Sequence, residues 1–390
     1  MNRSCEVCNN KESNHIYVQK FISVGSRNLI THKIVHCLDC GFIFVSNITQ
    51  QKKLDVYYKN NNKYLYANRD IVSPELKAFH KDFFDFINHH LVSNHTDKNY
   101  KDIYILDIGC GNGNLLNVFR NNHYKKILGL DPSRECALFA KNNFNIDITT
   151  STIDNYKINR KFDVVIMASV LEHIAGLNKS LNKITRLLSK NGKLVVLVPD
   201  LSKFGKIMKE PFVEFSLEHI NFFTIRSLSN LLGKYGYTLV KSKSLRAEYF
   251  GSYALMTIWQ KTGVITSIQK DDKGLLYLQK YILLSQKKLK KAEIIINELV
   301  ITQEPIIVWG TGSLTSRLLG TTKFKEMNIV EFIDKNTSLQ GRRLVGKMIE
   351  PPQMIRGKKL TIFISSFIYG NDIKVSLIKD YNYKGKIILI

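Results

Sequence analysis

Acidic residues are in short supply in this chain: 33 Asp and Glu stand against 57 Lys and Arg, leaving a formal net charge of +24. An excess of that size favours anionic partners, such as nucleic acid, a nucleotide-linked substrate or an acidic surface. No block of five or more like charges forms a nucleic-acid arm, so the charge is permissive rather than diagnostic. Proline is sparse at 7 residues, and the sequence contains no low-complexity tract and no short-period repeat. Long apolar runs are missing too. Nothing approaches the roughly 18 consecutive apolar residues that a spanning helix needs. The opening Met1-Asn2-Arg3-Ser4-Cys5 has no apolar core, so no secretory leader is expected. Six cysteines in 390 residues are too few for a disulfide framework, which fits a reducing cytoplasm. At 390 residues, 44% of them hydrophobic, the chain is long enough for two or three units, each with its own core.

The cysteines that are there are patterned. Cys5 and Cys8 form one Cys-x-x-Cys pair and Cys37 and Cys40 another. A tight turn between two thiolates often needs a residue with positive φ just after the second; Gly41 suits this, and Asn9 is the next most tolerant type. Four thiolates close a tetrahedral zinc site with no open position, so a metal there is structural. Redox pairs or free thiols are the competing reading. Cys110 and Cys136 read as packing residues.

Residues 1 to about 70 are turn-rich and include an aromatic stretch from Asp55 to Tyr66. Ser73-Pro74 opens a helix, with Ser as N-cap, and Phe79, Phe83, Phe84 and Ile87 give that helix an apolar face. Alternating strands and helices follow from about 103 to 240, the pattern of a parallel sheet covered on both faces. Strands are expected at 103–108, 126–130, 146–150, 162–167, 193–198 and 238–242. A Lys-rich helix at about 267–300 carries Leu275, Leu278, Ile282, Leu283 and Leu289 on one side. A second strand-glycine-helix start lies at Ile306–Ser313. Strands at 329–333, 360–364 and 386–390 complete the pattern. The fold class is therefore α/β. The expected organisation is a zinc-binding domain at 1–70, a central Rossmann-like domain at 71–245, a connecting strand and helix at 246–300, and a C-terminal Rossmann-like domain at 301–390.

The turn Asp107-Ile108-Gly109-Cys110-Gly111-Asn112-Gly113 follows a strand and precedes a helix, so its backbone can approach a ligand closely. Asp131 ends the next strand, where a carboxylate accepts ribose hydroxyls from a dinucleotide or from S-adenosylmethionine alike. Farther on come Ser169-Val170-Leu171-Glu172-His173-Ile174 and Phe215-Ser216-Leu217-Glu218-His219-Ile220-Asn221-Phe222-Phe223-Thr224. His219 is a candidate general base and Glu218 a candidate for binding or orienting a hydroxyl. Packing beneath a lid is the alternative for His219, and buttressing the loop is the alternative for Glu172 and His173.

The Asp107–Gly113 turn and the Leu171-Glu172-His173 run resemble class I S-adenosylmethionine-dependent methyltransferases over about 105–200. That resemblance implies that Asp107, Gly109 and Gly111 border the methionine and sugar parts of the cofactor, and that Asp131 holds the ribose. Thr152 or Ile153 would flank the adenine, and Ala168 would lie beside the methionine end. Taken whole, the chain resembles the three-part sugar-nucleotide C-methyltransferases of deoxysugar biosynthesis. The resemblance rests on the Cys spacing, the Tyr-rich segment at 57–66, the Glu218-His219 pair and the closing strand-Gly-helix unit. It implies zinc on Cys5, Cys8, Cys37 and Cys40 and a small-molecule, nucleotide-sugar acceptor, with no membrane and no nucleic-acid partner. In that family the paired His removes the proton alpha to a 4-keto group, and the enolate carbon attacks the sulfonium methyl. This chain departs from the family at Ser216-Leu217, where Tyr-His is usual, at Tyr249-Phe250-Gly251-Ser252, where His-Gly-Gly-Ser is usual, and at Ile364–Tyr369, where a Trp-Asn pair is favoured. Those departures leave the acceptor, and carbon versus oxygen attack, open. A sugar O-methyltransferase and a zinc-containing RNA methyltransferase are the alternatives. The 28 residues between Cys8 and Cys37 and the Ala168-Ser169 pair in place of an Asn-Pro-Pro-Tyr loop weigh against RNA. A non-catalytic scaffold is disfavoured by the intact Asp107, Gly109, Gly111 and Asp131. Gly310-Thr311-Gly312 with Asp334 mimics a dinucleotide fingerprint, but Thr315 fills the third glycine position. The oligomeric state is not legible.

Overall fold

The computed structural model describes residues 3–26, 28–48, 73–92, 102–157, 160–248 and 251–390. The stretch from Asp55 to Tyr66 and the pair Tyr249-Phe250 lie outside the described residues. The chain divides into two compact units: the first comprises residues 1–15, 35–206 and 218–278, the second 16–34, 207–217 and 279–390. Strands β1 (Ser13–Ile22) and β2 (Leu29–Cys37) each have residues in both units.

A seven-stranded sheet organises the first unit. Its strands are β4 (Ile105–Ile108), β5 (Ile127–Asp131), β6 (Ile148–Thr150), β7 (Phe162–Ala168), β8 (Leu188–Pro199), β10 (Tyr237–Ala247) and β11 (Ser252–Lys261). They lie in the order β10-β11-β8-β7-β4-β5-β6, with β11 antiparallel to both its neighbours and the strands from β8 to β6 parallel. The order reverses at β4, which pairs with β5 on one side and β7 on the other. Ligands of open α/β sheets bind beyond the carboxyl ends of the strands at such a reversal.

Successive side chains of a strand face opposite ways, and the two cores follow that parity. Leu106, Val165 and Val196 pack with Leu181 and Ile184 of α4 (Leu177–Leu187) and Leu228 and Leu231 of α5 (Ile225–Gly233). Ile105, Val164, Ile166 and Val195 pack with Phe79, Phe83, Phe84 and Ile87 of α1 (Pro74–Val92) and Phe119 of α2 (Asn114–Asn121). The apolar face expected of α1 is buried, and Ser73 caps it by accepting from the Leu76 N–H at 3.2 Å. Helix α3 (Arg134–Phe144) packs on β5 and β6, where its Ala140 joins Leu116 and Ile146, the latter just beyond the helix, in a small core. The short strand β3 (Ile43–Val45) pairs antiparallel with β9 (Asn221–Phe222), and Phe42 packs against Phe223 with ring centroids 5.4 Å apart.

Helix α6 (Gly274–Thr302) leads into the second unit. Its buried stripe runs through Leu278, Tyr281, Ile282, Ser285, Leu289, Ala292 and Ile296, whereas Leu283 faces solvent, so the stripe follows the helical period more closely than leucine content alone suggests. The second unit has a sheet of β12 (Ile306–Trp309), β13 (Ile329–Ile333), β14 (Arg343–Leu344), β15 (Lys347–Glu350), β16 (Thr361–Ile364) and β17 (Ile387–Leu389). The order is β14-β15-β13-β12-β16-β17, parallel except for β14, with α7 (Ser313–Thr321) and α8 (Gly370–Lys379) packed on it. Arg317 of α7 is buried and paired with Glu210 at 3.1 Å. Both sheets are Rossmann-like, and the α/β class holds throughout. Among the described residues no helix is long and apolar enough to cross a membrane.

Candidate functional site

The turn after β4 sits at the point of strand reversal. Gly109, Gly111 and Gly113 have φ of 72°, 51° and 75°, the left-handed region where a side chain is strained. Their surroundings differ. A Cβ on Gly109 would come within 2.6 Å of Val170, whereas a Cβ on Gly111 would meet nothing within 4 Å. The backbone at Gly111 therefore borders open space. It is held there by Asp131, whose Oδ2 accepts from the Gly111 N–H at 2.9 Å while Oδ1 accepts from Ser133 N–H at 2.9 Å.

Asp107, next to last in β4, is fully enclosed, and its Oδ1 has no hydrogen-bond partner. Burial, and then the nearby Asp131, push its carboxyl up to about 8. Burial likewise raises Asp131, against the pull of its two backbone N–H donors. Two buried carboxyls beside one glycine turn, one of them unsatisfied, are costly unless a polar or cationic group completes them. Beyond β6, Thr152 also leaves its buried Oγ1 without a partner, and Ile153 is buried beside it. Ala168 is half-buried at the end of β7. Asp107, Asp131, Thr152, Ile153 and Ala168 thus lie at or just beyond the carboxyl ends of four adjacent parallel strands, β4 to β7.

After β7 the chain makes a tight turn, with Ser169 at φ 57° and a short helical turn over Leu171–His173. This turn is stitched to the segment carrying His219. Ile220 N–H donates to the Glu172 carbonyl at 2.8 Å, and His173 Nδ1 donates to the Glu218 carbonyl at 2.9 Å. Asn221 Nδ2 donates to the carbonyls of Leu171 and Ile174 at 2.7 and 2.8 Å, and its Oδ1 accepts from Arg3 at 2.6 Å. The His173 and His219 rings lie 5.1 Å apart between centroids. Glu172 is buried, with Oε1 3.8 Å from His173 Nε2 and Oε2 unpartnered; burial raises its carboxyl and His173 pulls it back. Glu218 is buried and His219 half-buried. Sequence reasoning missed Asn221 as a positioning residue. Its signal was a lone amide inside the apolar run Ile220–Phe223.

The four cysteine sulfurs lie within 4.8 Å of one another. Asn9 and Gly41 have φ of 64° and 77°, and their N–H groups bond back to the carbonyls of Cys5 and Cys37 at 2.8 and 3.1 Å. Sharing hydrogen bonds with Cys37 pushes the Cys5 thiol up to about 12, while Cys37 itself, receiving such bonds, is lowered. Lys234 donates to the carbonyls of Glu6 and Val7 at 2.8 and 3.1 Å, placing a cation beside the cluster. The donor set, spacing and neighbouring positive charge fit a four-thiolate zinc site.

A family model described as a methyltransferase domain matches residues 78–242, and one described as C2185-like, N-terminal, matches residues 302–389. A ubiquinone biosynthesis O-methyltransferase of Pelagibacter ubique is 33% identical over 113 residues, covering 28% of this chain and 46% of that protein. A ubiquinone/menaquinone biosynthesis C-methyltransferase of Campylobacter jejuni is 28% identical over 152 residues, covering 37% and 60%. The chain thus spans about half the length of the curated relatives it matches. Among solved structures, a 1,6-didemethyltoxoflavin-N1-methyltransferase of Burkholderia thailandensis is 17% identical, with a TM-score of 0.43 over 58% of this chain and 98% of that one. A likeness that distant carries no weight for chemistry.

Proposed function

We propose that this chain, which carries a methyltransferase domain over residues 78–242, is an S-adenosylmethionine-dependent methyltransferase acting on a small-molecule acceptor. The observation that carries the reading is the buried carboxyl of Asp107, its Oδ1 without a partner, beside the open backbone of Gly111 at the strand reversal. Asp131 would hold the ribose, Gly109 and Gly111 the methionine and sugar parts, Thr152 and Ile153 the adenine, and Ala168 the methionine end. When bound, the cofactor supplies an electrophilic methyl group on a sulfonium.

The finer reading is C-methylation of a nucleotide-activated keto-deoxysugar. His219 would take up the proton alpha to the ketone as general base, and Glu218 would bind an acceptor hydroxyl. The electron pair of the broken C–H bond would form the new carbon–methyl bond, the carbon–sulfur pair returning to sulfur. Supporting this are the stitched turn that fixes the Glu218-His219 segment and the +24 charge, which suits a phosphate-bearing acceptor. Cys5, Cys8, Cys37 and Cys40 hold one structural zinc ion, as expected in a reducing cytoplasm. Metal analysis finding no zinc with all four thiols intact would sink that assignment. Cys37→Ser should lower the folded yield before it lowers cofactor affinity.

The test is calorimetry with S-adenosylhomocysteine, followed by a panel of nucleotide keto-sugars assayed by mass spectrometry. Absence of S-adenosylhomocysteine binding overturns the methyltransferase reading. On an accepted substrate, His219→Asn should slow turnover by about a hundredfold with cofactor affinity nearly unchanged. Solvent deuterium should enter the acceptor carbon without cofactor. Methyl transfer lacking any such exchange points to oxygen as the nucleophile.

A further inference from the structure

Glu172, His173 and His219 bring one carboxylate oxygen and two imidazole nitrogens within 4.8 Å of one another. The arrangement is built rather than accidental. A backbone carbonyl only accepts, so His173 must carry its proton on Nδ1, which the Glu218 carbonyl fixes at 2.9 Å. Its Nε2 faces Glu172 Oε1, 3.8 Å away. At that separation, longer than a hydrogen bond, a cation between the two would draw both donors in. Two metal–ligand bonds of about 2.0–2.1 Å span such a gap with a little side-chain adjustment. Histidine ligands commonly donate their second nitrogen to a backbone carbonyl, as His173 does. The carboxylate is 1% exposed, and its Oε2 has no partner, an independent mark of a missing positive group. The two segments are locked together by Ile220 N–H on the Glu172 carbonyl and by Asn221 on Leu171 and Ile174, so the three donors are pre-organised.

We infer that Glu172, His173 and His219 form a binding site for a divalent transition-metal cation, distinct from the four cysteines. Two imidazoles and one carboxylate leave further coordination positions open, the pattern of a catalytic rather than a structural centre. The site stands on geometry alone, but its consequence rests on the methyltransferase reading. A cation there would bind the acceptor oxygen and acidify the adjacent proton. Without the ion His219 is itself the base; with the ion bound it would hold the cation, and the acidified proton would pass to solvent at this half-buried position.

The experiment uses the full chain with its cysteine site loaded with zinc, and manganese(II) as the probe, because that ion favours oxygen and nitrogen donors over thiolates. Electron paramagnetic resonance should report one bound manganese per chain. His219→Gln and Glu172→Gln should each weaken it at least tenfold, with the cysteine-bound zinc retained. Glu218→Gln, which keeps the carbonyl contact, should leave binding within twofold. Should Glu172→Gln fail to fold, the half-buried His219→Gln decides. Absence of manganese, cobalt or zinc beyond one equivalent at the cysteines overturns the inference, as does cation binding unchanged in the variants. Calorimetry with S-adenosylhomocysteine on the same samples separates the two ideas. Cofactor binding without a second cation sinks only this inference, and a second cation without cofactor binding sinks only the methyltransferase reading.

Discussion

Two strand-glycine-helix turns occur in this chain, and they look alike until their polar groups are counted. In each, an Asp at the end of the next strand accepts a loop N–H: Asp131 from Gly111 at 2.9 Å, Asp334 from Thr311 at 2.8 Å. In the second, the loop then satisfies itself. The Thr311 hydroxyl also donates to Asp334, at 2.7 Å, and Thr315 Oγ1 donates to the Gly310 carbonyl and meets Ser365 Oγ at 2.6 and 2.8 Å. In the first, Asp107 stands two residues before Gly109 with one oxygen unanswered, where the second has the buried, apolar Val308 two residues before Gly310. Glycine spacing announces a turn; an unanswered buried carboxyl announces a ligand.

The sharpest break of this comparison is a pair of substitutions. Asp131→Ala should weaken S-adenosylhomocysteine binding by roughly 2–3 kcal/mol, the scale of charge-assisted hydrogen bonds. Asp334→Ala should leave that affinity unchanged within twofold by calorimetry, while lowering thermal stability, since it strips the Thr311 and Asn336 contacts. An equal loss of affinity in both would erase the distinction.

A second pair exchanges the roles. Gly310→Ala meets the Ser365 carbonyl at 3.1 Å at a φ of 105°, so it should cost about 1–3 kcal/mol of stability in a denaturant titration. Gly111→Ala meets no neighbour, so only its left-handed strain, about 1–2 kcal/mol, is felt in the free protein. Its larger effect should be on cofactor affinity, because the added methyl enters the space proposed for the ligand.

The smallest effect is a matter of pH. Burial keeps the Asp107 proton on up to about 8, whereas the unfolded chain releases it near 4. Between those values the folded state binds the extra proton, so this group's contribution is full below about 4 and is lost as pH rises through about 8. Asp107→Asn should flatten the fall in melting temperature between about pH 5 and pH 8. If the carboxyl loses its proton on meeting the cofactor's cationic end, calorimetry near pH 7 in buffers of different ionisation enthalpy should register proton release on binding.

The parallel part of the first sheet was legible because its central strands β4 and β7 bury both faces and each helix shows its period locally. The glycine turns and the acidic strand ends were legible for the same reason. Other features depend on partners far along the chain. Nothing near Ile16–Ile34 or Ile207–Leu217 signals that they group with residues 279 onward. Leu283 looked like part of the buried side of the long helix by composition, yet its angular position turns it to solvent, while Tyr281 and Ser285 take the inner face. The stitching role of Asn221 required knowing that Leu171 and Ile174 would leave their carbonyls beside it.

The pairing of Ile43 with Phe222 and of Phe44 with Asn221 has a consequence for how the chain is made. The cysteine segment emerges first, but the strand that completes its edge is translated roughly 180 residues later, some 10–35 s at ordinary elongation speeds. Throughout that interval Phe42 and Phe44, both buried in the finished protein, lack the covering strand. The thiols can gather a metal during the wait, but the aromatic edge must be shielded until residues 221–223 arrive. Shortage of metal during synthesis should therefore surface as aggregation of nascent chains, and metal supplied after release should rescue little of it.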